Sequence, residues 1–240
     1  MSTSTVAMIQ SSYIPWKGYF DQINIADTFV FYDDVQYTKE DWRTRNRIKT
    51  SQGLQWLTVP CGEDLKRLIC EVRMESAHWQ RKHWKSISQN YRKARYFDDY
   101  AGYFEPLYLE REWVYLSELN QTFTEMIARD ILGIDTEFRD SREFELSPDK
   151  KREDRWLELM SKLGADRLLA GPKARTYLDE EAGRKVREQG VEIVWMDYTG
   201  YPEYRQLYPP FEHHVSIVDL IMNEGPNAVD YMLSFGRRAE

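Results

Sequence analysis

Two adjacent carboxylates, Asp33 and Asp34, close an apolar run and lead into Gln36 and Tyr37 (DDVQY, 33–37). A carboxylate can take a proton from a reacting amine when its surroundings bring its pKa toward neutrality, so both are candidate catalytic bases. Successive side chains of a strand point to opposite faces, so the pair cannot serve one site unless the chain turns there. Further on, WRTRNRIK (42–49) sets Arg43, Arg45, Arg47 and Lys49 against no acid, with Asn46 among them. Alternate spacing in an extended segment aims guanidinium groups to one side, and each can grip phosphate or carboxylate through two parallel hydrogen bonds. The same pattern also guards an edge strand against unwanted pairing. Upstream, QSSYIPWKGY (10–19) offers Gln10, Tyr13, Trp16, Lys17 and Tyr19, and AGPKARTY (170–177) offers Lys173 and Tyr177. Tyrosine and tryptophan join an apolar body to a polar tip and suit clefts for sugars, bases and other planar groups. His214 is a candidate proton shuttle. No GxGxxG, Walker, G-x-S-x-G or zinc spacing occurs, and His78 and His83 diverge on a helix, so the sequence carries no metal signature.

Hydrophobic patterning says what must position these residues. Val6 to Ile9 reads as a short strand and Thr28 to Tyr32 as a second, with a helix around Phe20 to Ala26 between them. That succession is a βαβ unit, which implies a parallel pair. Leu54 to Val59 and Leu68 to Met74 read as further strands. From Ala77 to Gly133 the spacing turns helical: Trp79, His83, Ile87 and Tyr91 recur at fours, Tyr100 to Leu109 is a shorter helix, and Trp113 to Leu132 a longer one. An α/β pattern then returns: a helix from Lys150 to Leu163 capped by Gly164, a strand at Arg167 to Ala170, a helix at Asp179 to Gln189, and a strand at Val191 to Met196 apolar enough to be buried on both faces. Helices at Ser216 to Asn223 and Pro226 to Ser234 close the chain. The expected fold is α/β, a doubly wound, mostly parallel sheet with a helical insertion in the middle. Residues 1–240 then form one domain, with an N-terminal α/β part (1–75), the insertion (76–148) and a C-terminal α/β part (149–240). In such sheets ligands bind beyond the carboxyl ends of the strands. The segments at 10–19, 33–37 and 170–177 are expected to meet there.

Composition bounds the function. The chain has 240 residues and a net charge of −7, which excludes a global attraction to nucleic acid or anionic membrane while allowing local basic patches. No apolar run approaches the ~20 residues of a membrane helix, so no membrane insertion is expected. The first ten residues lack the features of a secretory signal. Cys61 and Cys70 fit no disulfide framework, which points to a reducing cytoplasm. Aromatic content is 14%, with 8 Trp and 16 Tyr, more than a core of this size needs and in keeping with an aromatic-lined cleft.

Taken together, these segments resemble the WbqC-like family, met in bacterial surface-polysaccharide (O-antigen) and small-molecule gene clusters. The resemblance is carried by Gln10, YIPWKGYF (13–20), Ala26-Asp27, DDVQY (33–37), Trp42, Arg43, Arg45, Asn46 and Arg47. It continues through Trp56 to Pro60, Trp79, Tyr91, Gly171 and Tyr177, and closes with Pro202, Tyr204, Gln206, Phe211, Ser216, Asp219 and Gly225. Two positions depart from the pattern: Ser11 stands where Pro is frequent, and Ala170 where Ser is frequent. The family's gene context implies tailoring of an amino sugar. On that reading the protein is a transferase that acylates or aminoacylates the amino group of an amino-sugar nucleotide or similar small amine. Arg43, Arg45 and Arg47 would hold phosphates, Tyr13, Trp16 and Tyr19 would pack sugar or base, and Asp33 or Asp34 would deprotonate the amine. A nucleotide or acyl donor is the expected cofactor, with a carrier protein or an aminoacyl-tRNA as donor. The first βαβ unit also resembles the nucleotidylyltransferase and class I synthetase fold, although PWKGYF lacks the histidines that fill that loop. A nucleotidyl transferase or ATP-dependent ligase using Lys17 and Lys173 on phosphates is therefore a second reading. A non-catalytic nucleotide-sugar or carrier binding protein is a third.

Overall fold

In the computed structural model, which describes residues 3–176, 178 and 180–235, apolar runs from both ends of the chain meet in one sheet. Strand β1 (Thr5–Ile9) pairs in parallel with β2 (Thr28–Phe31) through helix α1 (Lys17–Ile25), the expected βαβ unit. Eight of the nine α1 residues are buried, because the helix packs on the sheet and is covered by the segments at Tyr201 and Leu233–Ser234, which hydrogen-bond to Asp21 and Asn24. The chain then leaves the sheet. Strands β3 (Arg45–Thr50) and β4 (Gly53–Thr58) form a separate antiparallel ribbon. The strand expected at Leu68 to Met74 is instead a short 3-10 turn, Ile69–Glu71. Its backbone is taken up elsewhere: the amides of Ile69 and Cys70 donate to the carbonyls of Val35 and Asp33, so this segment braces the loop after β2.

Helices α2 (His78–Tyr91), α3 (Phe97–Leu109) and α4 (Leu116–Met126) follow, the last running into one π-helical turn, Ile127–Ile131. The long helix expected from Trp113 starts later, because the Leu116 amide is drawn onto the Val72 carbonyl. The stretch 76–148 also yields a strand that hydrophobicity did not reveal. β5 (Glu137–Asp140) joins the main sheet beside β2. Helix α5 (Arg152–Leu163) ends on Gly164 at φ 63, a left-handed cap that glycine adopts without strain. After it come β6 (Arg167–Ala170), α6 (Glu180–Glu188), β7 (Glu192–Trp195) and α7 (Ile217–Glu224). The last closing segment is a 3-10 stretch, Gly225–Tyr231, and not the expected second helix. β7 is not buried on both faces: it pairs only with β6, at the edge of the sheet, and its residues are exposed or half-buried.

The sheet order is β5-β2-β1-β6-β7, with every pairing parallel. Alternation along the strands separates two cores. Ala7, Phe29 and Phe31 face a large core with Phe20 of α1, Phe123 of α4 and Val218 of α7. Val6, Val30 and Tyr32 face a smaller one with Leu159 of α5 and Val186 of α6. The sheet is thus covered on both sides, a Rossmann-like α/β fold. No helix among the described residues is long and apolar enough to cross a membrane.

Candidate functional site

Connections from β1 and β6 leave the sheet on opposite sides, because strand order reverses between these two neighbours. Such a reversal opens a crevice outside the carboxyl ends of the strands. The protein has a cleft of about 1460 Å³ there. Gln10 and Ser12 after β1, Ala170 at the end of β6 and Gly171 after it line it at the sheet edge, and one arm extends over each face.

The arm on the α1 side is aromatic. Trp16 sits at the N-cap of α1, its ring 5.1 Å from Tyr198 and 5.7 Å from Tyr201, with His214 stacked at 5.9 Å and 25°. Gly18 makes this possible: a Cβ there would lie 2.3 Å from the Trp16 ring. Tyr19 donates from its hydroxyl to the Gln10 carbonyl at 3.2 Å, and burial holds its pKa well above the ordinary value, so it remains a donor. The loop between β1 and α1 is held from outside by the ribbon. The Asn46 side chain donates to the carbonyls of Tyr13 and Ile14 at 3.2 and 3.0 Å, and the Tyr13 amide to Trp42. Ile14 is kept at φ 35, a conformation that a β-branched residue adopts only under constraint. The ribbon therefore sets the geometry of the loop that carries Trp16.

The two carboxylates part company. Asp33 is fully buried; its oxygens accept from the Ser11 amide at 2.8 Å and Gln121 Nε2 at 3.0 Å, and burial raises its pKa. It ties the loops after β1 and β2 together and does not line the cleft. Proline at position 11 would remove the amide that Asp33 receives, so Ser11 fits this arrangement. Asp34 does line the cleft. It accepts from Ser141 Oγ at 2.5 Å and pairs with Arg155.

The remaining predicted residues divide likewise. Gln36, Arg43, Asn46, Lys173 and His214 line the cleft with Gln10, Trp16 and Tyr19. Tyr13 is a core residue, its hydroxyl bonded to His83 at 2.8 Å and Tyr108 at 2.6 Å. Lys17 is buried over the Tyr201 ring at 4.4 Å, where loss of solvation lowers its pKa to about 8. Tyr37 is buried under Arg67. Arg45 and Arg47 do not join Arg43. Arg45 lies 4.5 Å from the Trp56 ring, and Arg47 lies near Trp42 and Trp56 and donates to the His214 carbonyl. Strand alternation does keep them on one side, but that side is the ribbon's own aromatic face. His214 is largely exposed and pairs with Glu212. Tyr177 falls outside the described residues.

The arm on the α5 side is built from residues outside the three loops expected to converge. Lys150, Arg152 and Arg155 line it, with Trp156 and Tyr32. Its one visible signal is the highly charged tract DKKREDR (149–155) opening the predicted helix, where Arg152 and Arg155 fall one turn apart. With Arg43 and Lys173, these cations face a lining in which Asp34 is the only carboxylate among the described residues. Lys150 and Arg43 are partly matched by Glu158 and Asp41 just outside. Such a wall, in a protein of net charge −7, favours an anionic ligand. Among the described residues, no group of three or more His, Cys, Asp or Glu side chains is placed to hold a metal ion.

Comparison with known proteins agrees with the collinear pattern. Residues 10–231 match the WbqC-like protein family. The chain is 43% identical over 229 residues to the uncharacterized protein Rv1507c of Mycobacterium tuberculosis H37Rv, covering 95% of this chain and 96% of that one. No solved structure matches.

Proposed function

The chain belongs to the WbqC-like protein family, and from that premise we propose that its cleft binds a phosphate-bearing small molecule and transfers an acyl or aminoacyl group to an amine. The amine of an amino-sugar nucleotide attacks the donor's carbonyl carbon, the donor's leaving group departs with its bonding pair, and a carboxylate takes the proton. That base is Asp34 and not Asp33, because Asp34 alone of the two lines the cleft. Trp16, Tyr198 and Tyr201 supply a face for a sugar or base, and the cations of the opposite arm supply counter-charge. One observation carries the reading: a basic wall with a single carboxylate among the described residues, at the crevice where sheet order reverses. The setting that goes with it is cytoplasmic surface-polysaccharide tailoring.

The adenylylating alternative, on a nucleotidylyltransferase-like variant of the fold, is less favoured. Lys17, which it would put on phosphate, is buried over Tyr201 and points its charge at the Pro202 carbonyl, 3.4 Å away. Thermal-shift titration tests the reading. Nucleotide-sugars should raise the melting temperature, a ligand at 100 times its Kd adding about 2.7 kcal/mol. The parent neutral sugars at equal concentration should not. A shift by neutral sugars alone would remove the anionic-ligand reading.

A further inference from the structure

We propose that the arm of the cleft on the α5 side is its anion subsite, in which Arg155, backed by Tyr32 and flanked by Arg152, takes the phosphate or carboxylate of the ligand. This rests on the reading of the cleft as a small-molecule site and says where in it the charge is held.

Tyr32 extends β2 toward the α5 face and is 4% exposed, yet its buried hydroxyl makes no hydrogen bond among the described residues. The Arg155 guanidinium lies 5.4 Å from the same ring. Its terminal nitrogens are committed to Asp34, to the carboxylate and to the backbone carbonyl at 3.4 and 3.5 Å, while its Nε is buried without a partner. Buried polar groups in folded proteins are nearly always satisfied. Two unsatisfied donors on neighbouring side chains in the wall of one cleft point to an acceptor from outside the chain. Phosphate and carboxylate fit, being rich in acceptor oxygens and matched to a guanidinium fork. Arg152 adds charge one turn earlier on α5.

Asp34 acts in this arrangement as an internal anion on Arg155. An incoming phosphate must draw Arg155 away from Asp34 or share it, and either change brings acceptors to the unsatisfied donors. The two partners of this ion pair therefore affect ligand binding with opposite signs. Removing the Arg155 charge weakens an anion, and removing the Asp34 charge strengthens it. An ion pair with a purely architectural role produces no such opposition.

Isothermal titration of the full chain with inorganic pyrophosphate, beside melting curves, tests this. Arg155→Met should weaken pyrophosphate at least tenfold and Tyr32→Phe severalfold, whereas Asp34→Asn should tighten it severalfold. Should Arg155→Met fail to fold, Arg155→Lys replaces it and should still lose part of the affinity, since an ammonium cannot reproduce the fork. Unchanged affinity in the Arg155 and Asp34 variants, or a loss in both, overturns the assignment. If Arg43→Ala or Lys173→Ala abolishes binding while Arg155→Met does not, the subsite lies elsewhere and the cleft reading survives. Absence of pyrophosphate binding to the wild-type protein overturns the subsite, and the nucleotide-sugar titration then decides the cleft reading by itself.

Discussion

Lys17 shows how a residue chosen for chemistry can serve the scaffold instead. It stands at the first position of α1, is 3% exposed, and is caged by the Tyr201 and Tyr204 rings. Burial lowers its pKa to about 8, while Asp21 and Asp219 oppose the shift. An unfolded lysine titrates near 10.4, so between pH 8 and 10 the unfolded chain binds more protons here than the folded one. Stability therefore rises with pH across that window. Against Lys17→Met as reference, the wild type should gain about 1–3 kcal/mol from pH 8 to pH 10, read from denaturant melts; a constant difference would mean that Lys17 keeps an ordinary pKa. The sequence showed the lysine beside Trp16 but not the two tyrosines, which arrive from a segment nearly two hundred residues away. Asp33 and Asp34 were more legible: alternation said that they diverge, and they do. Which of them reaches the cleft depends on Ser11, Gln121, Ser141 and Arg155, partners that local pattern cannot reveal.

At the scale of elements, the β3–β4 ribbon is where sequence and structure differ most. Its alternating arginines read as a phosphate clamp, yet Arg45 and Arg47 lie against Trp56 and Trp42, rings that are 44% and 46% exposed. Both tryptophans were visible, but a pattern of two cannot say whether a strand faces a ligand or its own hairpin partner. The cross-strand register decides it, setting Arg47 opposite Trp56. Arg45→Ala should accordingly leave the affinity for a phosphate-bearing ligand within about twofold and lower stability by about 0.5–1 kcal/mol, the size of an exposed cation–π contact. Calorimetry beside a melting curve checks both, and a tenfold loss of affinity would return Arg45 to the site. β5 was illegible for a different reason. EFRD has four residues, three of them charged, and becomes a strand because β2 offers it an open edge.

For the whole molecule, the apolar strands β1, β2 and β6 and the capped helix α5 were readable, and with them the doubly wound class. The crevice follows from topology: β5 and β2 lie to one side of β1, and β6 and β7 to the other. The three loops expected to converge do meet there, at Gln10, Gln36 and Lys173. The fourth contributor, the start of α5, follows a 3-10 turn and loop that gave no sign of curling back over the sheet. A single anionic ligand site thus lies, on the proposed function, at this reversal of strand order. Backbone hydrogen exchange, with and without the nucleotide-sugar that gives the largest thermal shift, tests it most directly. Ligand should protect 10–19, 33–38, 150–156 and 170–176 together and leave the exposed face of the β3–β4 ribbon unchanged. Protection confined to the ribbon, or spread evenly over the sheet without these loops, would contradict it.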